Sequence, residues 1–280
     1  MSNSAAIVPF PGSVGLASLP MYTLPEIEDS VSAWWRGVAR HMRAAGISHA
    51  PDILTQPDSV MDNWTDKNLV FSQTCGFPLV YLLGEQARMI ATPIYDAPGS
   101  DGPNYRSMII VPDDLDVSTF ADLQHMDAAV NAWDSQSGFN AFRALVASNT
   151  AKKTDEKFFA RTIITGSHEG SMNAVRTRTA HCACIDGVTL ALFQRYRPDA
   201  LGGVRILCET DWAPGLPFIT HGDASDDELQ ALRDGLFAAL ADPELAPLAD
   251  KQLLKGAAVL ELSDYRKISD MVEQGSNVQL

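Results

Sequence analysis

Apolar residues along the chain follow two alternating rhythms, short continuous runs and stretches with helical spacing. The run SVGLASL over 13–19 predicts a short strand. Thr23 and Glu26 then flank Pro25 in capping-box order. Ile27, Val31, Trp34, Trp35, Val38 and Met42 follow at helical spacing, and Gly46 ends that helix. NLVFS at 68–72 predicts a second buried strand, with a turn and a helix opening near Gly76–Pro78. RMIATPIY and YRSMIIV read as two longer strands, joined by the turn-rich loop DAPGSDGPN at 96–104.

The middle third repeats the alternation. It predicts a strand AAVNAW (128–133), a helix from Ser137, a strand RTIIT (161–165) and a helix from about Ser167. A strand HCACI (181–185), a helix to about Arg195 and an outgoing strand GVRILCET (203–210) follow. Toward the C-terminus Ser225 and Glu228 form a second capping box, and Leu229, Leu232, Leu236 and Leu240 line one helix face. Alternating strands and helices predict an α/β protein with largely parallel sheets. Residues 13–95 and 128–196 each have βαβ character, separated by long strands near 105–111 and 203–210 that read as crossovers. The expected organisation is two lobes with a ligand cleft between them. Lobe 1 is discontinuous, 1–108 and 207–280, with lobe 2, 109–206, inserted into it.

Composition narrows the function. The net charge of -14 repels nucleic acid and anionic membranes, and it repels a small anion at long range as well. An anion site in such a chain needs local donors. No apolar run approaches the ~20 residues that span a bilayer, so no membrane insertion is expected. The N-terminal stretch has no basic residue before Arg36, and Pro9 and Pro11 interrupt its apolar run, so it fails as a secretory leader. The chain as given therefore reads as cytoplasmic, and as periplasmic if the natural N-terminus differs. Cys75, Cys182, Cys184 and Cys208 are too few for a disulfide framework and are expected to be reduced.

Candidate chemistry gathers at helix starts that follow strands. In WDSQSGFNAFRALV, Ser135 and Ser137 precede a helix, with Gly138 beside them. A cap needs one serine. Two hydroxyls, a glycine and free N–H groups on the helix dipole suit an oxyanion cradle. In GSHEGSMNAV, Ser167 could cap, Ser171 shares its face, and His168 could donate to the same anion. In SQTCGFPL, Gln73, Thr74 and Cys75 end a strand, and Cys75 could be a nucleophile if a helix N-terminus lowers its pKa. Asp186 opens a helix as a cap or pairs with a ligand cation. Tyr22, Tyr95, Tyr105 and Trp212 sit at strand ends or in loops, where aromatics can wall a pocket. Walker A, G-x-G-x-x-G, H-E-x-x-H and G-x-S-x-G patterns are lacking, and His181, Cys182, Cys184 and Asp186 have the wrong spacing for a structural zinc site. No cofactor is expected.

WDSQSGFNAFRAL, GSHEGSMNAVRTRTAHCACIDGVTLALFQRYRP and APGLPFIT, in that order, resemble the phosphate/phosphonate substrate-binding proteins of ABC transporters, over about Val14 to Thr220. The resemblance implies a type 2 periplasmic-binding fold, with two mixed sheets, flanking helices and two hinge strands. It implies oxyanion contacts from Ser135, Ser137, Gly138 and His168, with Ser171 nearby, and an amine contact from Asp186. Tyr22, with the turn at Thr74 and Cys75, would serve from the first lobe. Its function would be to close on a small oxyanion-bearing solute, for delivery to an ABC permease or for cytoplasmic sensing. The alternative is a cytoplasmic lyase or synthase on the same fold, of the menaquinone or thiamine-precursor type, which Cys75 and the failed leader favour.

Overall fold

The computed structural model describes residues 15–150 and 157–280. The start of the strand expected over 13–19 and most of the stretch read for a leader lie outside them. The strands are β1 (Leu16–Ala17), β2 (Leu69–Gln73), β3 (Ala87–Tyr95), β4 (Ser100–Asp101), β5 (Asn104–Tyr105), β6 (Ser107–Pro112) and β7 (Asp127–Val130). β8 (Arg161–Ile164), β9 (Cys182–Asp186), β10 (Val204–Glu209), β11 (Ala213–Pro214), β12 (Phe218–His221) and β13 (Leu254–Ala258) follow. The chain divides into two compact units. The first holds residues up to Thr74, Tyr81–Ile94 and Leu216–Glu261; the second holds Cys75–Val80, Tyr95–Gly215 and Leu262–Leu280.

The first unit is built on a five-stranded sheet, order β1-β2-β12-β3-β13. β1 and β2 run parallel, while β12 runs antiparallel to both β2 and β3, so the sheet is mixed rather than largely parallel. The helix Glu28–Ala44 lays Val31, Trp34, Trp35, Val38 and Met42 into the core, where the rings of Trp35 and Phe71, and of Trp34 and Phe218, meet at a tilt. It ends where Gly46 takes a φ of 112°, a conformation that favours glycine. The capping box expected of Thr23 and Glu26 does not form. Thr23 Oγ1 donates back to Leu19 O, and a 3-10 turn with Pro25 first precedes the helix instead. Ser225 does cap the helix Asp226–Leu240, accepting the Glu228 N–H at 3.1 Å.

The second unit has its own five-stranded mixed sheet, order β10-β6-β9-β7-β8. β7 pairs parallel with both β8 and β9, and β6 pairs antiparallel with β9 and β10. Ile109, Val111, Leu123, Val130, Phe142, Phe159 and Cys184 form its core. β6 and β10, the strands expected near 105–111 and 203–210, both belong to this sheet, and the chain changes unit at Ile94/Tyr95 and Gly215/Leu216. The C-terminal segment also differs from the expected boundaries. The helix Arg266–Gly275 packs on the helix Ala141–Asn149, where Arg143 donates to Gly275 O at 2.6 Å, so it joins the second unit. The loop at 96–104 folds into a hairpin, β4–β5, extended by β11 into a three-stranded sheet.

Candidate functional site

In the second unit, β7 runs out of the core at Asn131, and the chain turns through Trp133 to Ser135. Ser135 is extended (φ -79°, ψ 128°), as an N-cap must be, and its Oγ accepts the Gly138 N–H at 3.0 Å. The helix opens with a π turn, Gln136–Asn140, and its first backbone bond runs from Asn140 N–H to Ser135 O at 3.1 Å. The N–H groups of residues 136–139 therefore precede the ladder, which widens the donor array of an ordinary helix start. Ser135 takes the Gly138 N–H, and the Gln136 N–H is directed at the Cys75 sulfur. No acidic residue sits in this first turn. The positive end of the dipole carries no carboxylate of its own.

Ser137 does not cap. Its hydroxyl lies 3.0 Å from His168 Nε2, and its carbonyl accepts from Ser107 Oγ and Cys184 Sγ, each at 3.0 Å. His168 is delivered by the next strand–helix junction. Thr165 N–H bonds Val130 O and Gly166 N–H bonds Asn131 O, both at 2.9 Å, which clamps the loop after β8 to the loop after β7. Ser167 caps the helix His168–Arg176 through the Gly170 N–H at 3.0 Å. Asn131 Nδ2 donates to Ser135 Oγ at 3.1 Å and approaches His168 Nε2 at 3.5 Å. Gly138 is required here, because a Cβ would collide with Asn131 Oδ1 and crowd His168 Cε1.

His168 Nδ1 and Asn131 Oδ1 are shielded from solvent and have no hydrogen-bond partner among the described residues. Burial lowers the His168 pKa to about 4, so the imidazole is neutral at pH 7. A neutral imidazole has one N–H and a serine one O–H. If Ser137 donates to Nε2, the proton on Nδ1 is unspent; if Nε2 donates, the Ser137 proton is unspent. Either tautomer leaves one donor at this point. The Ser135–Gly138 turn, Asn131 and His168 thus bring neutral donors together at one point, an arrangement suited to an anion.

The other expected residues fall as follows. Ser171 is fully buried and shares a 2.6 Å hydrogen bond with Thr165 Oγ1. Asp186 is buried and caps the helix Gly187–Tyr196, accepting from Val188 N–H and Thr189 N–H at 2.9 and 3.0 Å. Tyr95 closes β3 in the second unit, half-buried. Tyr22 and Thr74 belong to the first unit; Thr74 is fully buried and its N–H bonds Pro217 O at 3.1 Å. Cys75 departs from expectation. Burial raises its pKa, outweighing the N–H groups of Gln136, Phe77 and Gly76 that would lower it, and Asp186 adds to the rise. The helix behind it, Gly76–Pro78, is a single turn with little dipole to offer. None of the four cysteines forms a disulfide, and burial raises the pKa of Cys182, Cys184 and Cys208 as well. Asn131 was missed by sequence reasoning, which placed it inside a strand; a lone polar residue ending an apolar run was its signal.

The family described as ABC transporter, phosphonate, periplasmic substrate-binding protein matches residues 33–265. No curated protein matches the chain. Among solved structures, a binding protein component of an ABC phosphonate transporter from Pseudomonas aeruginosa is similar at 15% identity and a TM-score of 0.72, over 94% of this chain and 86% of that one. PhnD1 from Prochlorococcus marinus, in complex with methylphosphonate, is similar at 12% identity and a TM-score of 0.72, over 95% of this chain and 99% of that one. A Xanthomonas citri protein bound to ATP is similar at 16% identity and a TM-score of 0.69, over 94% of this chain and 98% of that one.

Proposed function

We propose a ligand and a site for this chain, which belongs to the phosphonate periplasmic substrate-binding proteins of ABC transporters and is accordingly a solute-binding protein. The ligand is a small molecule bearing an oxyanion, a phosphonate or phosphate ester, and its oxygens are held by Ser135, Ser137, Gly138 and His168. One observation carries this reading: a helix whose first turn holds no carboxylate, opened by a π turn, stands beside a neutral histidine whose pair with Ser137 leaves a donor unspent. Such a site attracts an anion through dipoles, which a chain of net charge -14 needs. Asp186 is the proposed partner of a ligand amine, and Tyr22, Thr74 and Tyr95 rest on the family resemblance alone. Ser171 is assigned a supporting role, since its hydroxyl holds Thr165.

The family's description supports the periplasm as place of work and an ABC permease as partner. Cytoplasmic sensing of the same ligand is the competing assignment, and cell fractionation with an antibody to the chain separates the two. The raised pKa of Cys75 weighs against the enzyme alternative's candidate nucleophile.

The test is a thermal-shift and calorimetric panel of methylphosphonate, aminoethylphosphonate, phosphate, sulfate, acetate and ATP. ATP is included because the Xanthomonas neighbour is described as bound to it. A ligand that binds only the folded state raises Tm in a concentration-dependent way. Phosphonate or phosphate is expected to do so, and the response is expected to vanish in the Ser135→Ala/Ser137→Ala variant. No response to any oxyanion, or a response that survives the double substitution, would overturn the assignment.

A further inference from the structure

Among the described residues, the shielded side-chain atoms without a hydrogen-bond partner include two amide oxygens, Asn131 Oδ1 and Gln136 Oε1, and both belong to the loop and turn of the anion site. An amide oxygen only accepts. A fully ionised oxyanion has nothing to give it, so an acceptor set among the donors would weaken the binding of such an ion. Buried polar groups are nearly always satisfied, and two unspent acceptors at one helix start call for a cause. The two are not equivalent. The Gln136 amide is fully buried and engages the C-terminal helix, where its Nε2 donates to Met271 Sδ at 3.1 Å. The Asn131 amide stays with the cradle. Its Nδ2 donates to Ser135 Oγ at 3.1 Å and lies 3.5 Å from His168 Nε2. Its Oδ1 lies against Gly138, where a Cβ would collide with it, and the Gly138 N–H is spent on Ser135 Oγ. What fits this acceptor is an oxyanion that carries a proton. A phosphonate or phosphate ester loses its second proton near neutral pH, and the monoanion offers one P–OH. A sulfonate has the same tetrahedral shape and the same single charge, with no proton to give.

We infer that the site takes its ligand as the protonated monoanion, the P–OH donating to Asn131 Oδ1 while the other oxygens accept from the Ser135–Gly138 turn and His168. The inference rests on the reading of that turn as the anion site and adds the residue that sets its specificity. Asn131 then separates phosphonate from sulfonate by one hydrogen bond that only the first can make. A singly charged ligand also suits a chain of net charge -14 better than a dianion, which meets twice the long-range repulsion.

The test is calorimetric titration with methylphosphonate and methanesulfonate at about pH 6, where the phosphonate monoanion is abundant. The wild type is expected to bind methylphosphonate about 100-fold or more tighter, because a site built to bond a ligand hydroxyl rejects the analogue that lacks it. Asn131→Ala is expected to bring the two within a few-fold. Loosened packing around residue 131 would weaken both ligands alike, so the ratio of affinities is the readout. A second measurement needs no variant: above the ligand's second pKa, wild-type titrations in buffers of different ionisation enthalpy should show a proton taken up with each phosphonate bound. Methanesulfonate bound within a few-fold of methylphosphonate by the wild type would overturn the inference and leave the cradle standing; it is the result expected if the amide N–H2, not the oxygen, lay against Gly138. An unchanged ratio in Asn131→Ala, or no proton uptake, would overturn it equally. A wild type that binds neither anion would overturn the cradle reading and this inference with it.

Discussion

Two helix starts in this chain share one signature and differ in what they do with it. Ser135 and Ser225 are both extended N-caps, and each accepts the N–H three residues on, at 3.0 and 3.1 Å. After Ser225 come Asp226, Asp227 and Glu228, so the protein's own carboxylates meet the positive end of the helix. Asp226 is paired with Arg88 at 2.7 Å, and Glu228 with His221 at 3.4 Å. After Ser135 come Gln136, Ser137 and Gly138, neutral and buried, and the helix opens with a π turn. One start is electrostatically filled and the other is left open. The cap serine marks a helix start; the residues in the next turn decide whether the dipole is available to a ligand.

The largest effect should come from filling the open start. Ser137→Asp places a carboxylate in the first turn and beside His168, imitating the helix at Ser225. Repulsion between charges a few ångströms apart is worth roughly 4 kcal/mol at the effective dielectric of a protein surface. Phosphonate affinity measured by calorimetry should fall about 100-fold or more. Binding within a few-fold of the wild type would mean that the anion is held elsewhere. A smaller, paired effect follows from the caps themselves. Ser225→Ala should cost about 1 kcal/mol in urea unfolding for its one cap bond, and Ser135→Ala more than that, since it also loses the bond from Asn131 Nδ2. Only Ser135→Ala should weaken anion binding. Equal binding losses in both, or in neither, would erase the distinction between the two starts.

Much of this contrast was legible before any coordinates. The carboxylate run after Ser225 and the neutral run after Ser135 stand in the sequence, as do the strand–helix junctions that position both. The apolar spacing of Ile27 to Met42 located the first core helix, because a three-to-four residue stripe must face a core. Four features were out of reach. The π turn depends on how Ser135 O and Asn140 N–H meet, which composition does not specify. The pairing of Thr23 with Leu19 O, in place of a capping box, depends on the local chain path. The pKa of Cys75 follows burial, and burial is a property of the packed unit rather than of the helix-start pattern. Membership of the C-terminal helix in the second unit likewise rests on its contacts with residues far away in sequence, Arg143 above all.

The smallest predicted effect separates the two starts by their response to acid. At the open start the titrating group is a base with a depressed pKa, His168 at about 4 against an ordinary 6.5. Between those values the unfolded chain binds the proton more readily than the folded one, so stability rises with pH. The contribution is complete above about 6.5 and is lost as pH falls toward 4. For a ring that retains some exposure the loss is on the order of 1–2 kcal/mol after allowance for solvent screening. At the filled start the titrating group is an acid. The hydrogen bond from His221 holds Glu228 below its ordinary 4.5, so its contribution is present above 4.5 and is lost only as pH falls through the lowered value. Urea unfolding at pH 7, 5.5 and 4.5 should therefore show the wild type losing stability already at the middle step. His168→Gln should flatten that step, while Glu228→Gln should leave it in place. A His168→Gln profile parallel to the wild type would show that the imidazole is solvated and already free to charge, and the neutral-donor account of the cradle would then fail at its central residue.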